Sequence, residues 1–156
     1  MGPLSGRVLD VNLRKPYFDD ALIRESVGMS TVLKLSDDEL QPVLKACGIS
    51  LSDDIVKTLQ ELKTKYDLEV VAMTRGAEGA IVVTDHETLD QPGIPTTVCD
   101  TVGAGDAFTA AFVVGMSSGA SMRSVIANAC KVASDVCSYS GAVRKIASCL
   151  KSVRKL

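Results

Sequence analysis

The chain has 156 residues, of which 46% are hydrophobic and 23% charged. That is enough apolar material for one domain with a real core. Lys and Arg number 17 against 19 Asp and Glu, for a formal net charge of -2, which gives no electrostatic basis for nucleic-acid binding.

The segment "RVLDVNL" is β-rich and opens the chain almost at once, and "YFDDALIRESVGM" has helical spacing. "STVLKLS" reads as a short apolar strand. "DDELQPVLKACG" starts with acids at a helix mouth, carries Pro42 in its first turns and ends at Gly48, a C-cap. "SDDIVKTLQELKTKY" is a helix with Ile55, Leu59 and Leu62 on one face and Ser52 as its N-cap. "LEVVAMT" is a continuous apolar strand, as expected where both sheet faces are covered, and "GAIVVT" is its hairpin partner. A loop with Pro92, Gly93 and Pro95 leads to "TTVCDT", read as the strand that enters a glycine turn, and then to a helix ending near Gly119. "SMRSVIANACKVASDVCSYSG" is the next helix, with Met122, Val125, Ile126, Ala129, Ala133, Val136 and Cys137 in one stripe. Gly141 follows its end, and the segment from Arg144 is expected to be helical too. The alternation predicts an α/β layer fold with a mostly parallel sheet. No helix precedes the first strand, so Val8, Leu9 and Val11 are expected to be exposed and to drive self-association.

Five cysteines, Cys47, Cys99, Cys130, Cys137 and Cys149, include no C-x-x-C pair and no metal-ligand spacing, and read as free thiols in a reducing compartment. Cys130 and Cys137 fall on one predicted helix face and are expected in the core. His86, the single histidine, lies in the charged turn "TDHET" and is expected at the surface. Lys145, Lys151, Arg154 and Lys155 read as a solvated helix face. No signal-peptide pattern opens the chain, and Gly6 breaks the myristoylation pattern. The longest apolar run, "AFTAAFVVGM", is short of the ~20 residues that cross a bilayer. A cytoplasmic protein without a membrane partner is the expectation.

The stretch "CDTVGAGDAFTAAF" carries the chemistry. The first N–H groups of a helix lack internal partners, and the helix dipole favours negative charge there. Gly103, Ala104 and Gly105 could therefore form an anion hole. A P-loop would need Gly-Lys-Ser/Thr, but Gly105 is followed by Asp106 and Ala107. A dinucleotide fingerprint would need glycine at 108, which is Phe108. Asp106 either accepts a proton from an attacking hydroxyl or merely complements the helix dipole; spacing leaves both open.

"DTVGAGDAF", Asp100 to Phe108, resembles the C-terminal signature of the PfkB (ribokinase-like) family of sugar and nucleoside kinases, D-T-x-G-A-G-D-x-F. "LDVNLR" is similar to the family's D-x-N-x-R stretch at Asp10, Asn12 and Arg14. "LKLSDDEL" is similar to K-x-N-x-x-E, with Lys34 and Glu39, and with Ser36 where Asn is usual. "TRGAEGA" matches T-x-G-x-x-G at Thr74, Gly76 and Gly79. "IANACKVAS" and "SGA" match the nucleotide-side helix and the turn after it. The set looks most like fructokinase-type members.

The resemblance implies a ribokinase-like three-layer αβα sandwich (Rossmann-like), with residues 1–156 as its C-terminal, nucleotide-binding and catalytic portion. It implies transfer of the ATP γ-phosphoryl group to a sugar hydroxyl, fructose or similar. Asp106 would be the base, and Gly103, Ala104 and Gly105 the anion hole. Glu39 would help place Mg²⁺ through water, and Asp100 and Thr101 would lie near a monovalent cation, K⁺. Thr74, Gly76 and Gly79 would line the phosphates, Asn128 and Gly141 the nucleotide side, and Arg14 the phosphates or the sugar. The family's N-terminal half, with most sugar contacts, a β-sheet lid and a diglycine signature, has no counterpart here. Two readings follow: a kinase needing that half or a homo-oligomeric partner, or a non-catalytic nucleotide-binding or interaction module.

Overall fold

The structure, a computed structural model, describes residues 6–141. The helix expected from Arg144, Cys149 and the C-terminal basic cluster lie outside the described residues. The chain forms two compact units, one of residues 6–76 and 80–90, the other including 77–79 and 91–141.

The first unit is built on strands β1 (Val8–Asp10), β2 (Val32–Ser36), β3 (Val70–Thr74), β4 (Ala80–Thr84) and β5 (Thr88–Gln91), ordered in the sheet as they occur in the chain. β1, β2 and β3 pair in parallel, while β3 and β4 form the expected antiparallel hairpin, from Val70 opposite Thr84 to Thr74 opposite Ala80. Helices α1 (Asp20–Met29), α2 (Asp37–Cys47) and α3 (Ile55–Lys65) supply the crossovers that parallel pairing requires. Leu33, Leu35, Val71, Met73, Ile81 and Val83 point into a core shared with Val27, Val43, Leu44, Leu59 and Leu62. Val32, Val70, Ala72, Ala80 and Val82, the alternate positions, are buried as well. Burial on both faces is why these strands read as unbroken apolar runs.

Two expectations change here. Asp54, not Ser52, caps α3: its Oδ1 accepts the Val56 and Lys57 N–H groups at 3.0 and 3.3 Å, because the helix begins at Ile55. Ser52 Oγ instead accepts the Asp54 N–H at 3.2 Å. Val8, Leu9 and Val11 are half-buried rather than exposed, since pairing with β2 and packing of Leu9 and Val11 on the core shield them. The exposed apolar side chains nearby are Tyr17, Leu22 and Met29. Gly48 caps α2 as expected, with Pro42 in the second turn of that helix, and His86 is exposed.

The second unit is dominated by α4 (Ala104–Ser117) and α5 (Met122–Cys137). Phe108 and Phe112 stack with ring centroids 5.6 Å apart. A Cβ on Gly115 would lie 3.1 Å from the Val125 side chain, so the helices approach closely at that point. The α5 stripe is buried at Met122, Val125, Ile126, Ala129 and Cys130. Ala133, Val136 and Cys137 are only half-buried, so Cys137 is not the core residue its spacing suggests. "TTVCDT" is not a strand. It runs irregularly against the end of α5, where the Cys137 carbonyl accepts the Cys99 N–H at 2.8 Å and the Asp100 N–H at 3.3 Å. A helix C-terminus offers free carbonyls, so the segment needs no strand neighbour. Among the described residues no helix is long and apolar enough to cross a membrane.

Candidate active site

In the second unit the glycine turn leads directly into α4. Gly103 caps the helix at φ +84, a left-handed conformation in which a Cβ is strained. Ala104, Gly105 and Asp106 follow as its first three helical residues, so Asp106 stands at the helix mouth as expected. The Ala104 N–H already donates to the Thr101 carbonyl at 3.2 Å, which closes the turn. The Gly105 and Asp106 N–H groups head the helix, where α-helical geometry gives them no carbonyl. Gly105 and Asp106 are exposed, and the Asp106 carboxylate has no hydrogen-bond partner among the described residues.

Asp100 braces this turn from below. Its Oδ1 accepts the Val102 N–H and its Oδ2 the Gly141 N–H, both at 3.0 Å. These backbone donors hold its carboxyl below the usual aspartate range. Gly141, exposed at φ +90, is thereby joined to the entry of the turn. Thr101 is exposed, and Asn128 is half-buried in mid-α5. Gly79 has a packing reason of its own: a Cβ there would lie 2.0 Å from the Gln91 carbonyl oxygen. Gly93 answers it, since its Cβ would fall 1.8 Å from the Ala77 oxygen.

In the first unit, Arg14, Glu39, Thr74 and Gly76 gather around the carboxyl ends of the strands, where open α/β sheets bind ligands. Ser36 and Thr74 are register partners at the ends of β2 and β3, and Thr74 Oγ1 reaches the Leu35 carbonyl at 3.5 Å. Gly76 is exposed in the turn after β3. Glu39 accepts the Leu13 N–H on Oε1 and the Ser36 N–H on Oε2, each at 2.8 Å. It thus clasps the segment after β1 to the mouth of α2, a role that the motif match does not reveal. Next to it, the buried Lys34 ammonium meets Asp10 Oδ1 at 3.0 Å across β1 and β2. Together these contacts fix the course of the chain toward the exposed Arg14. Among the described residues no group of three or more His, Cys, Asp or Glu could hold a metal by itself.

The fold is that of an α/β protein of the ribokinase-like kind. The family model of the pfkB family carbohydrate kinases matches residues 4–148, and the chain belongs to that family. It is 30% identical over 118 residues to a fructokinase of Salmonella typhimurium, an alignment covering 72% of this chain and 36% of that protein. It is 41% identical over 68 residues to a 1-phosphofructokinase of Haloferax volcanii, covering 44% of this chain and 22% of the other. The structure is similar to Arabidopsis thaliana ribokinase complexed with ribose and ATP, with a TM-score of 0.74 and 25% identity over 94% of this chain and 47% of that one. The chain thus spans about half the length of that solved kinase, and about a third of the fructokinase.

Proposed function

We propose that this chain carries the nucleotide-handling and base-bearing part of an ATP-dependent sugar kinase of fructokinase type. The observation that supports it most is the exposed Asp106 carboxylate, without a hydrogen-bond partner among the described residues, beside the N–H groups of Gly105 and Asp106 at the mouth of α4. A carboxylate beside an anion-binding helix mouth repels bound phosphate unless it has a task, and accepting the proton of the attacking hydroxyl is such a task. The relatives support the class: one is a fructokinase, one a 1-phosphofructokinase, and the similar ribokinase is complexed with ribose and ATP.

In this mechanism Asp106 takes the proton from the sugar hydroxyl as its oxygen attacks the γ-phosphorus. The Gly105 and Asp106 N–H groups, with the α4 dipole behind them, face the negative charge on the transferring phosphoryl group. Asp100 holds the turn in shape through Val102 and Gly141. Within the second unit Asn128 and Gly141 line the nucleotide, and the family resemblance assigns phosphate contacts to Arg14, Thr74 and Gly76 of the first. Mg²⁺ would supply neutralisation of phosphate charge, held through water by Glu39. Its residues fit that arrangement, because a carboxylate has about four acceptor sites and two N–H groups leave room for a water. Asp100 and the Thr101 carbonyl, which likewise retain free lone pairs, would be the oxygen donors to K⁺.

The alternative is a module that binds nucleotide without turnover. The deciding experiment has two arms. Millimolar Mg·ATP should shift the Gly105 and Asp106 amide resonances. With a fructokinase N-terminal half added, fructose-dependent ADP release should appear and fall about 10² or more in Asp106→Asn. Nucleotide binding without release in any pairing selects the module; no amide shift removes the nucleotide site itself.

A further inference from the structure

Two thiols of the second unit lie where separate segments are joined through their backbones. The 2.8 Å bond from the Cys99 N–H to the Cys137 carbonyl keeps the two α-carbons within about 7 Å by bond lengths alone. Disulfides span ~4.4–6.8 Å between α-carbons. A second contact fixes how the segments face each other. Thr96 and Ser134, each three residues before one of the cysteines, are hydrogen-bonded hydroxyl to hydroxyl. Residues three apart on a helix are surface neighbours, so the side of α5 that presents Ser134 to the 96–100 segment also carries Cys137. Cys99 is exposed and Cys137 half-buried, whereas Cys47 and Cys130 are buried.

We propose that Cys99 and Cys137 are a reversible dithiol–disulfide pair, with a low-molecular-weight disulfide such as oxidised glutathione as the oxidant. The exposed Cys99 thiolate attacks one glutathione sulfur, and the first glutathione thiolate leaves. The Cys137 thiolate then attacks Cys99 Sγ, forming the protein S–S bond and expelling the second glutathione. The two cysteines lose two electrons and two protons, and the oxidant becomes two molecules of reduced glutathione. The link lies one residue before Asp100, whose carboxylate holds the Val102 and Gly141 N–H groups. Oxidation therefore pins the entry to the turn at Gly103–Asp106. This pair stands on geometry alone and holds whether or not the chain transfers phosphate.

The sequence makes the test clean, because trypsin places each of the five cysteines on its own peptide: 46–57, 76–123, 124–131, 132–144 and 146–151. After incubation of the folded chain with millimolar oxidised glutathione, peptide 76–123 should be found linked to 132–144 as the main disulfide product. Dithiothreitol should release it. In urea the same treatment should scatter links among all five cysteines. Amide exchange at Val102 and Gly141 should slow on oxidation in the wild type and stay unchanged in Cys137→Ser. A product dominated by glutathione left on Cys99, by a link to 146–151, or by links between chains would overturn the pairing. The wild-type peptide map distinguishes these products even if a serine variant fails to fold.

Discussion

Asp100 and Gly141 meet across 41 residues of chain, with the Gly141 N–H donating to Asp100 Oδ2 at 3.0 Å. The segment after α5 is thereby tied to the segment that leads into the glycine turn. The tie favours the ionised carboxylate, whose folded pKa is lowered by the Val102 and Gly141 N–H groups. For a depressed carboxyl the stabilisation is complete above the unfolded value, ~3.9, and is lost as pH falls through the lower folded value. The Gly141 amide resonance should therefore titrate with a midpoint below that of an ordinary aspartate. In Asp100→Asn this titration should vanish.

Glu39 supports the local fold as well as any metal. In Glu39→Ala the Leu13 and Ser36 N–H groups lose their acceptor in partly buried surroundings, at a cost of about 1–3 kcal/mol. Glu39→Gln keeps one carbonyl acceptor and should lose less. Urea unfolding midpoints would rank them wild type, Gln, Ala. An unchanged midpoint in the alanine variant would remove the clasp.

Two glycines of one motif should respond differently. Gly79→Ala forces a methyl carbon to 2.0 Å from the Gln91 oxygen, whereas a Cβ on Gly76 meets nothing within 4 Å. Gly76→Ala should cost about 1–2 kcal/mol, the strain of a left-handed residue. Gly79→Ala should cost more, with backbone displaced at 91–93. Chemical denaturation of the two variants side by side checks the order.

Tyr66 gives a spectroscopic prediction. Burial, and the hydrogen bond its hydroxyl donates to the Cys47 sulfur, push its pKa up to about 12 from 10.0. The neutral phenol is the favoured folded form. Its stabilisation is complete below pH about 10 and is lost as pH rises through about 12. Ultraviolet titration should show one late tyrosine, and in Cys47→Ala that step should move to lower pH.

The sequence makes the parallel strands, the β3–β4 hairpin and the Asp106 helix mouth legible, because unbroken apolar runs and glycine spacing follow directly from burial and turn geometry. "TTVCDT" misleads because β-branched residues mark extended backbone, and extended backbone pairs as readily with helix-end carbonyls such as that of Cys137 as with a strand. Asp54 displaces Ser52 as a cap since both residue types serve and only backbone geometry selects between them. Glu39 is recognisable through its motif, but its hold on Leu13 lies 26 residues away in the chain and has no local signature. Gly79 is recognisable through its motif, but its close packing against the 91–93 backbone has no local signature.

The strand order β1-β2-β3-β4-β5 is also the order of synthesis. Among the described strands each joins an open edge, and none has to be threaded between two neighbours already paired. A chain leaving the ribosome at ~5–20 residues per second can therefore lay its sheet down progressively. The first unsatisfied edge passes from β1 to β2, then to β3, and the hairpin partner β4 follows only a few residues behind. Vectorial assembly of this kind keeps each newly made strand waiting for one successor at a time, which shortens the interval in which bare edges can meet those of other nascent chains.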